Sequence, residues 1–208
     1  MTEEFKPLKG TTTVGLTFKD GVVIAADKRA TMGTYIAARN VEKVHLVGDK
    51  MALTIAGGVG DAQSLVRMLR AELELYKYSK GGNLSVEGAA TLLANVLQGN
   101  KYYPYFVQLI LAGYDSKPRL FDLDLVGGMN AQDFTATGSG SPVAIGILEE
   151  HFKKDLPKDE AVKLAASAVD YAMKRDSATG EGIDVIVITN DVVKRYSSSE
   201  VYALLKAN

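Results

Sequence analysis

Three consecutive threonines, Thr11 to Thr13, follow Gly10 and open a stretch of strand-like alternation. A threonine hydroxyl is a weak nucleophile unless a base lies beside it. Cleavage of the chain directly before Thr11 would supply one, because a free α-amino group has a reference pKa of about 7.7–8.0 and is partly neutral near pH 7. That amine would sit on the same residue as the hydroxyl, and Gly10 has no side chain to obstruct attack on its own carbonyl. The tract is therefore either ordinary strand sequence, in which threonine is common, or a latent N-terminal nucleophile.

Other catalytic and metal-binding patterns find little support in the sequence. A Ser-His-Asp triad would need His45 or His151, which we interpret as a partly buried strand residue and a solvated helix residue. The sequence has no HExxH motif and no calcium-loop spacing, so we expect no metal site. The glycine groups AGGVGD and TGSGSP match neither a P-loop nor the complete dinucleotide fingerprint, and we expect no cofactor. Cysteine is absent, which excludes disulfides and cysteine nucleophiles.

The composition is that of an ordinary globular chain. Its 208 residues fit one domain with a sizeable core, or at most two small ones. The net charge of -1 gives no electrostatic reason to expect nucleic acid or an anionic membrane as a partner. No apolar run is long enough to span a bilayer, and the first ten residues lack the apolar region of a secretory signal. We therefore expect a cytoplasmic protein.

The elements that must position the threonine tract come in blocks. Two predicted β-hairpins are followed by two helices, the second capped by Ser85, and then by a second group of strands. Pro142 and Pro157 open a second pair of helices, and the last strands precede a terminal helix. Blocks of this kind favour antiparallel sheets with helices layered against them over a doubly wound parallel sheet. Two packed sheets with helix pairs on both outer faces would use every element.

Six stretches together resemble the β-type subunits of the 20S proteasome, in particular the archaeal kind. They are GTTTVG, DKRAT, EKV, TIAGGVGD, TGSGSP and MKRDSATGEGIDV, in the family's order and spacing. Each motif is weak alone, but the six lie in register in a match that runs essentially from Gly10 to the C-terminus. The resemblance implies an α+β fold of the N-terminal-nucleophile hydrolases, a four-layer αββα sandwich of two antiparallel sheets. It also implies a propeptide over residues 1–10 and a single domain over residues 11–208.

The resemblance implies a threonine endopeptidase with a role for each matching residue. Thr11 would be the nucleophile, exposed by autolysis of the Gly10–Thr11 bond. Lys43 would lie beside its hydroxyl, and Asp27 would orient Lys43 from a neighbouring strand of a hairpin-like pair. Either Lys43 or the α-amino group of Thr11 would be the general base, and the sequence does not choose between them.

The remaining members of the implied catalytic set surround the new N-terminus. Ser139 and Asp176 would complete its hydrogen-bond network. The backbone N–H of Gly57 would stabilise the tetrahedral oxyanion, a role worth roughly 3–4 kcal/mol per donor. Thr179 stands where the family commonly has serine, so the hydroxyl is kept.

Seven further residues match the family's substrate-binding positions: Ala30, Thr31, Val41, His45, Ile55, Val59 and Gln63. Most of the pocket positions are apolar, which predicts a preference for Leu, Tyr or Phe before the scissile bond. His45 and Gln63 add polar groups to the same wall. Thr31, with Gly57 and Val59, would bind the substrate backbone as an added strand.

The implied partners are those of a self-compartmented protease. They are other β subunits in two stacked seven-membered rings, closing rings of α subunits, an unfoldase ATPase and unfolded protein substrates. Two alternatives stay open: the smaller bacterial ring peptidase that also begins with threonines, and a structural ring subunit without activity. Whether a second β type shares the ring is open too.

Overall fold

The computed structural model describes residues 10–206, which form twelve strands and five helices. The propeptide predicted over residues 1–10 lies, apart from Gly10, outside these described residues. The strands are β1 (Thr12–Phe18), β2 (Gly21–Asp27), β3 (Ala30–Met32), β4 (Tyr35–Ala38), β5 (Val44–Gly48), β6 (Met51–Gly57), β7 (Val107–Tyr114), β8 (Pro118–Leu123), β9 (Met129–Ala131), β10 (Phe134–Gly138), β11 (Ile183–Thr189) and β12 (Val193–Tyr196). The helices are α1 (Val59–Lys80), α2 (Val86–Gly99), α3 (Ser141–His151), α4 (Lys158–Met173) and α5 (Ser198–Lys206).

Two five-stranded antiparallel sheets form the centre of the molecule. The first has the strand order β10-β1-β2-β11-β12, and the second has the order β5-β6-β7-β8-β9. Their facing surfaces share a buried apolar cluster, with side chains from both sheets such as Ile24, Ile110 and Ile186. The short hairpin of β3 and β4 pairs separately.

Helices cover the outer faces of both sheets. The helices α3, α4 and α5 pack on the first sheet, and α1 and α2 pack on the second. The inner face of α4 is lined by small residues such as Ala161, Ala165 and Ala168, which let the helix approach the sheet closely. This arrangement is a four-layer αββα sandwich and confirms the predicted fold class.

Local signals in the sequence account for the starts of three helices. The Ser85 hydroxyl accepts a hydrogen bond from the Gly88 N–H, as expected of an N-cap. Pro142 lies in the first turn of α3, and Pro157 directly precedes α4. Tyr76 of α1 is 37% exposed, although it lies three residues after the buried Leu73 on the same face of the helix. A helix of 22 residues is about 33 Å long and outreaches strands of five to seven residues, so its last turns project beyond the sheet.

The sequence did not predict the hairpin of β3 and β4, nor β9. The strands β3 and β9 have three residues each and β4 has four, and most of these residues are at least partly exposed. Segments this short are too brief to show the alternation that identifies a strand. Between residues 10 and 206, no helix combines the length and the apolar character needed to cross a membrane.

Candidate active site

Thr11 lies at the edge where β1 begins, between the two neighbouring strands of the first sheet. It is 5% exposed, although it precedes the strand rather than lying within it. Its backbone N–H donates to the Ser139 hydroxyl at 3.2 Å, and its own hydroxyl donates to the carbonyl of Gly10. The Lys43 ammonium approaches the same carbonyl oxygen at 3.5 Å. Polar groups therefore contact both ends of the Gly10–Thr11 peptide bond.

A buried ion pair lies on the carbonyl side of this peptide bond. Asp27, at the end of β2, accepts four hydrogen bonds on its carboxylate. One oxygen binds the Thr12 N–H at 3.0 Å and the Lys43 ammonium at 2.8 Å. The other oxygen binds the backbone N–H groups of Arg29 at 3.0 Å and Gly180 at 2.9 Å. These donors compensate for the desolvation of the carboxylate, whose side chain is fully buried.

The prediction that Asp27 and Lys43 lie on neighbouring strands of a hairpin-like pair is wrong. Asp27 ends β2 in the first sheet, whereas Lys43 directly precedes β5 in the second. The hairpin of β3 and β4 intervenes and carries the chain from one layer to the other. The ion pair therefore joins the two sheets rather than two strands of one sheet.

Burial lowers the pKa of Lys43 below its ordinary value of 10.5. The carboxylate of Asp27 opposes this effect, and the positive charge of Arg29 adds to it. The ammonium also donates to the Arg29 carbonyl at 2.5 Å. Lys43 is thus held in position by two strong acceptors while its surroundings ease the loss of its proton.

A second polar cluster lies on the amide side of the peptide bond. One carboxylate oxygen of Asp176 accepts hydrogen bonds from the hydroxyls of Ser139 and Thr179, both at 2.5 Å. The Thr179 hydroxyl also forms a hydrogen bond with the hydroxyl of Thr12 at 2.8 Å. Ser139 does not cap the following helix: Gly140 is the N-cap residue of α3 and no side chain caps it. The Ser139 side chain instead links Asp176 to Thr11.

Gly57 ends β6 beside Thr11 in a conformation that requires glycine. Its φ is +131°, and a Cβ added there would lie 1.9 Å from the carbonyl oxygen of Phe106. Gly57 and Thr11 line the same cavity. The structure thus brings together all seven predicted catalytic residues: Thr11, Asp27, Lys43, Gly57, Ser139, Asp176 and Thr179.

The same cavity contains every residue predicted to bind substrate. Its lining includes Ala30, Thr31, Val41, His45, Ile55, Val59 and Gln63. Gly10 itself lines the cavity together with Lys43. The seven predicted residues come from five separate segments of the chain, so the fold rather than local sequence gathers them.

Two lining residues, Glu42 and Ala62, were missed from the sequence. Ala62 is three residues after Val59 on α1, so helical spacing could have identified it. Glu42 lies between Val41 and Lys43 in a segment that is not a regular strand, so alternation does not turn it away from the cavity. Its carboxylate pairs with Arg195 at 2.6 Å.

His45 forms a polar part of the cavity wall. Burial lowers its pKa from the ordinary 6.5, and the carboxylate of Glu42 opposes this shift. A histidine with a lowered pKa is mainly neutral at pH 7. Within residues 10–206, the cavity included, no group of three or more His, Cys, Asp or Glu side chains is placed to hold a metal ion.

The αββα sandwich thus places Thr11 directly before a strand of the first sheet, with the buried Asp27–Lys43 pair beside it. Comparison with known families matches residues 8–188 to the family described as "Proteasome subunit". The chain is 50% identical over 196 residues to "Proteasome subunit beta" of Methanosphaerula palustris, which covers 93% of each chain. It is 47% identical over 199 residues to "Proteasome subunit beta 2" of Pyrococcus furiosus, which covers 96% of this chain and 97% of the relative. The chain belongs to the proteasome subunit family, and its relatives are of the β type.

Proposed function

We propose that this chain is a threonine endopeptidase subunit of the proteasome core, with Thr11 as its nucleophile after autocleavage. The observation that carries the proposal is the convergence of two polar clusters on one peptide bond. Lys43 contacts the carbonyl oxygen of Gly10 at 3.5 Å, and Ser139 contacts the nitrogen of Thr11 at 3.2 Å. Neither a strand-forming threonine nor a purely structural subunit requires such contacts.

Autocleavage begins with attack of the Thr11 hydroxyl on the carbonyl carbon of Gly10. An ester bond forms between that carbon and the Thr11 oxygen, the C–N bond breaks, and the hydroxyl proton ends on the released amine. Water then hydrolyses the ester and frees Thr11. Because the nitrogen of Thr11 is still an amide before cleavage, it is not basic, and Lys43 is the amine in contact with this bond.

The processed subunit repeats this chemistry on other chains. The Thr11 hydroxyl attacks the substrate carbonyl, and the released α-amino group and Lys43 are the two candidates for the base. The Gly57 N–H stabilises the oxyanion. A lowered pKa of Lys43 makes its neutral form more available than that of an exposed lysine. Asp27 orients Lys43, while Ser139, Asp176 and Thr179 orient the new N-terminus.

The pocket supports a preference for hydrophobic residues before the scissile bond. Ala30, Val41, Ile55 and Val59 contribute apolar surface to its lining. We expect a fluorogenic peptide ending in Tyr or Leu to be cleaved at least about tenfold faster than one ending in Asp, because burying an unpaired carboxylate is costly. Paired kcat/KM measurements on the assembled particle test this preference. Equal rates, or faster cleavage after Asp, would refute it.

The same proposal extends to the assembly. We infer seven-membered β rings stacked in pairs, closed by α-subunit rings and fed with unfolded protein by an ATPase, in the cytoplasm. Family membership and relatives of the β type support this assembly. Enclosure has a physical reason, since a site that cuts almost any extended chain must be kept away from folded proteins.

The decisive experiment is a Thr11→Ala comparison in the assembled particle. We expect loss of peptide cleavage and retention of the N-terminal extension, measured by intact mass, with the fold unchanged by circular dichroism. Thr17→Ala in β1, the strand that follows Thr11, is the matched control, because its hydroxyl binds only the Asp133 carbonyl, away from the pocket. Normal cleavage by Thr11→Ala would remove the nucleophile assignment. A retained extension in the unmodified protein would instead indicate a precursor or an inactive subunit.

A further inference from the structure

The loop of residues 174–182, between α4 and β11, supplies groups to both polar clusters. Asp176 and Thr179 belong to the amide-side cluster, whereas the Gly180 N–H donates to Asp27 at 2.9 Å. The backbone of this loop makes some hydrogen bonds: the Thr179 N–H donates to the Asp176 carbonyl at 3.2 Å, and the Gly180 carbonyl accepts from the Lys28 N–H at 3.1 Å. A side chain that contacts several positions of the loop would add to these bonds and hold the three groups in register.

Arg29 fulfils this role with its side chain. One terminal nitrogen of its guanidinium donates to the Ser177 carbonyl at 2.7 Å, and the other donates to the Glu181 carboxylate at 3.1 Å. The guanidinium also lies directly against Gly180, where an added Cβ would come within 2.5 Å of its central carbon. The planar group thus contacts three positions of the loop at once.

The backbone of Arg29 holds the opposite side of the site. Its N–H donates to Asp27 at 3.0 Å, and its carbonyl accepts the Lys43 ammonium at 2.5 Å. One residue therefore connects the buried ion pair, through its backbone, to the loop that carries Asp176, through its side chain.

Glu181 is held in an unfavourable backbone conformation beside this guanidinium. Its φ is +71°, and within residues 10–206 no other residue except glycine has a positive φ. Its carboxylate also accepts hydrogen bonds from Arg39 at 3.3 Å, and its side chain is only 18% exposed. Strain of this kind persists where surrounding interactions impose it, and two arginines supply them here.

We propose that Arg29 and Glu181 are positioning residues for the peptidase reaction, forming a clamp that keeps the two polar clusters in register. The proposal rests on the function proposed above. The clamp acts through Asp27, Lys43 and Asp176, and neither member of the clamp lines the substrate cavity. Loss of the Glu181 charge would leave the mostly buried guanidinium of Arg29 without its counter-ion. The Nε of Arg29 already lacks a hydrogen-bond partner. The loop would then shift relative to Lys43.

The test compares Glu181→Gln, Glu181→Gly and Glu181→Asp in the assembled particle. Gln removes the charge at nearly constant shape, Gly also relieves the positive φ, and Asp keeps the charge and tolerates this conformation. We expect Gln and Gly to lower kcat about tenfold or more, with KM within about twofold, because small misplacements of catalytic groups reduce kcat. Asp should retain kcat within about threefold of the unmodified protein.

The matched control is Glu87→Gln, which breaks an ion pair with Arg119 of similar length, 3.0 Å, outside the cavity lining. It should leave kcat unchanged. The clamp is refuted if kcat is unchanged in both Gln and Gly variants while the melting temperature falls, or if the control loses kcat equally.

A second measurement separates failure of the clamp from failure of the proposed function. Amide hydrogen exchange at Gly180 should be at least about tenfold faster in Glu181→Gln than in the unmodified protein, whether or not any peptide is cleaved. A particle that cleaves no peptide refutes the peptidase, and unchanged exchange at Gly180 refutes the clamp.

Discussion

The two polar clusters beside the Gly10–Thr11 bond are built from different donors. Three of the four hydrogen bonds to Asp27 come from backbone N–H groups, and the fourth comes from the Lys43 ammonium. Asp176 is bound mainly by two side-chain hydroxyls, which rotate to donate or accept. Backbone donors cannot change direction without moving the chain. The first cluster therefore fixes a charge in place, whereas the second can adapt its hydrogen bonds.

Thr12 joins the two clusters. Its N–H donates a hydrogen bond to the Asp27 carboxylate, and its hydroxyl forms a hydrogen bond with the hydroxyl of Thr179. Thr12, which follows the proposed nucleophile, is therefore more than a strand former, because both clusters fix its position.

The largest loss of activity should follow removal of the Lys43 amine. Lys43→Met should lower kcat/KM by about 10²–10⁴-fold, the usual contribution of a positioned acid or base, and should leave the extension attached. Fluorogenic peptide kinetics and intact mass measure both results. Lys77→Met is the control, since Lys77 makes an equally short but exposed ion pair with Asp49. Activity within tenfold of the unmodified protein would make the charged cluster dispensable.

An intermediate effect should separate the two carboxylates under the same chemical change. In Asp27→Asn, the NH₂ group of the amide faces backbone N–H donors that cannot turn away, and Lys43 loses its counter-ion. We therefore expect the free energy of unfolding to fall by about 3–5 kcal/mol and kcat to fall by about 10²-fold. Asp176→Asn faces hydroxyls that can reverse, so we expect about 1–2 kcal/mol and about tenfold. Denaturant unfolding and peptide kinetics provide the comparison. Equal losses, or a larger loss at Asp176, would reverse the distinction between the clusters.

The smallest effect concerns pH. Burial lowers the pKa of Lys43 in the folded chain, so the unfolded chain, with the ordinary value of 10.5, binds more protons between those two values. The contribution of Lys43 to stability therefore rises with pH across that window and levels off above about pH 10.5. Thermal unfolding of Thr11→Ala with and without Lys43→Met, from pH 7 to 10.5, should show this rise only where Lys43 is present. A difference between the two proteins that falls with pH would mean that Asp27 outweighs burial.

Much of this molecule can be read from its sequence, because strong local signals and ordered motifs coincide. The Ser85 cap, the alanine face of α4 and the block order of elements indicate the sandwich, and the motifs around Thr11, Lys43 and Ser139 indicate the site. What the sequence does not show is which sheet a strand joins. For that reason Asp27 and Lys43 were expected in one hairpin although they connect two layers.

The sequence did not predict the clamp of Arg29 and Glu181 either. Arg29 and Glu181 are 152 residues apart, and neither carries a local pattern that separates it from other charged residues. The 3.1 Å hydrogen bond between the two side chains, the positive φ of Glu181 and the contact of Gly180 with the guanidinium reveal the pairing. All three are properties of the folded chain, which a single sequence does not display.

Gly10 lines the cavity, and its carbonyl oxygen lies 3.5 Å from the Lys43 ammonium, so under the proposed function the uncut chain occupies part of its own binding site. A tethered occupant has a high local concentration and competes strongly with any free peptide. Under the proposed function, the uncut subunit therefore inhibits itself, and its own Gly10–Thr11 bond is the first substrate of its active site. The proposed autocleavage would then act as a switch that operates once in each subunit, because hydrolysis removes the inhibiting segment from the same site at which later substrates are cut.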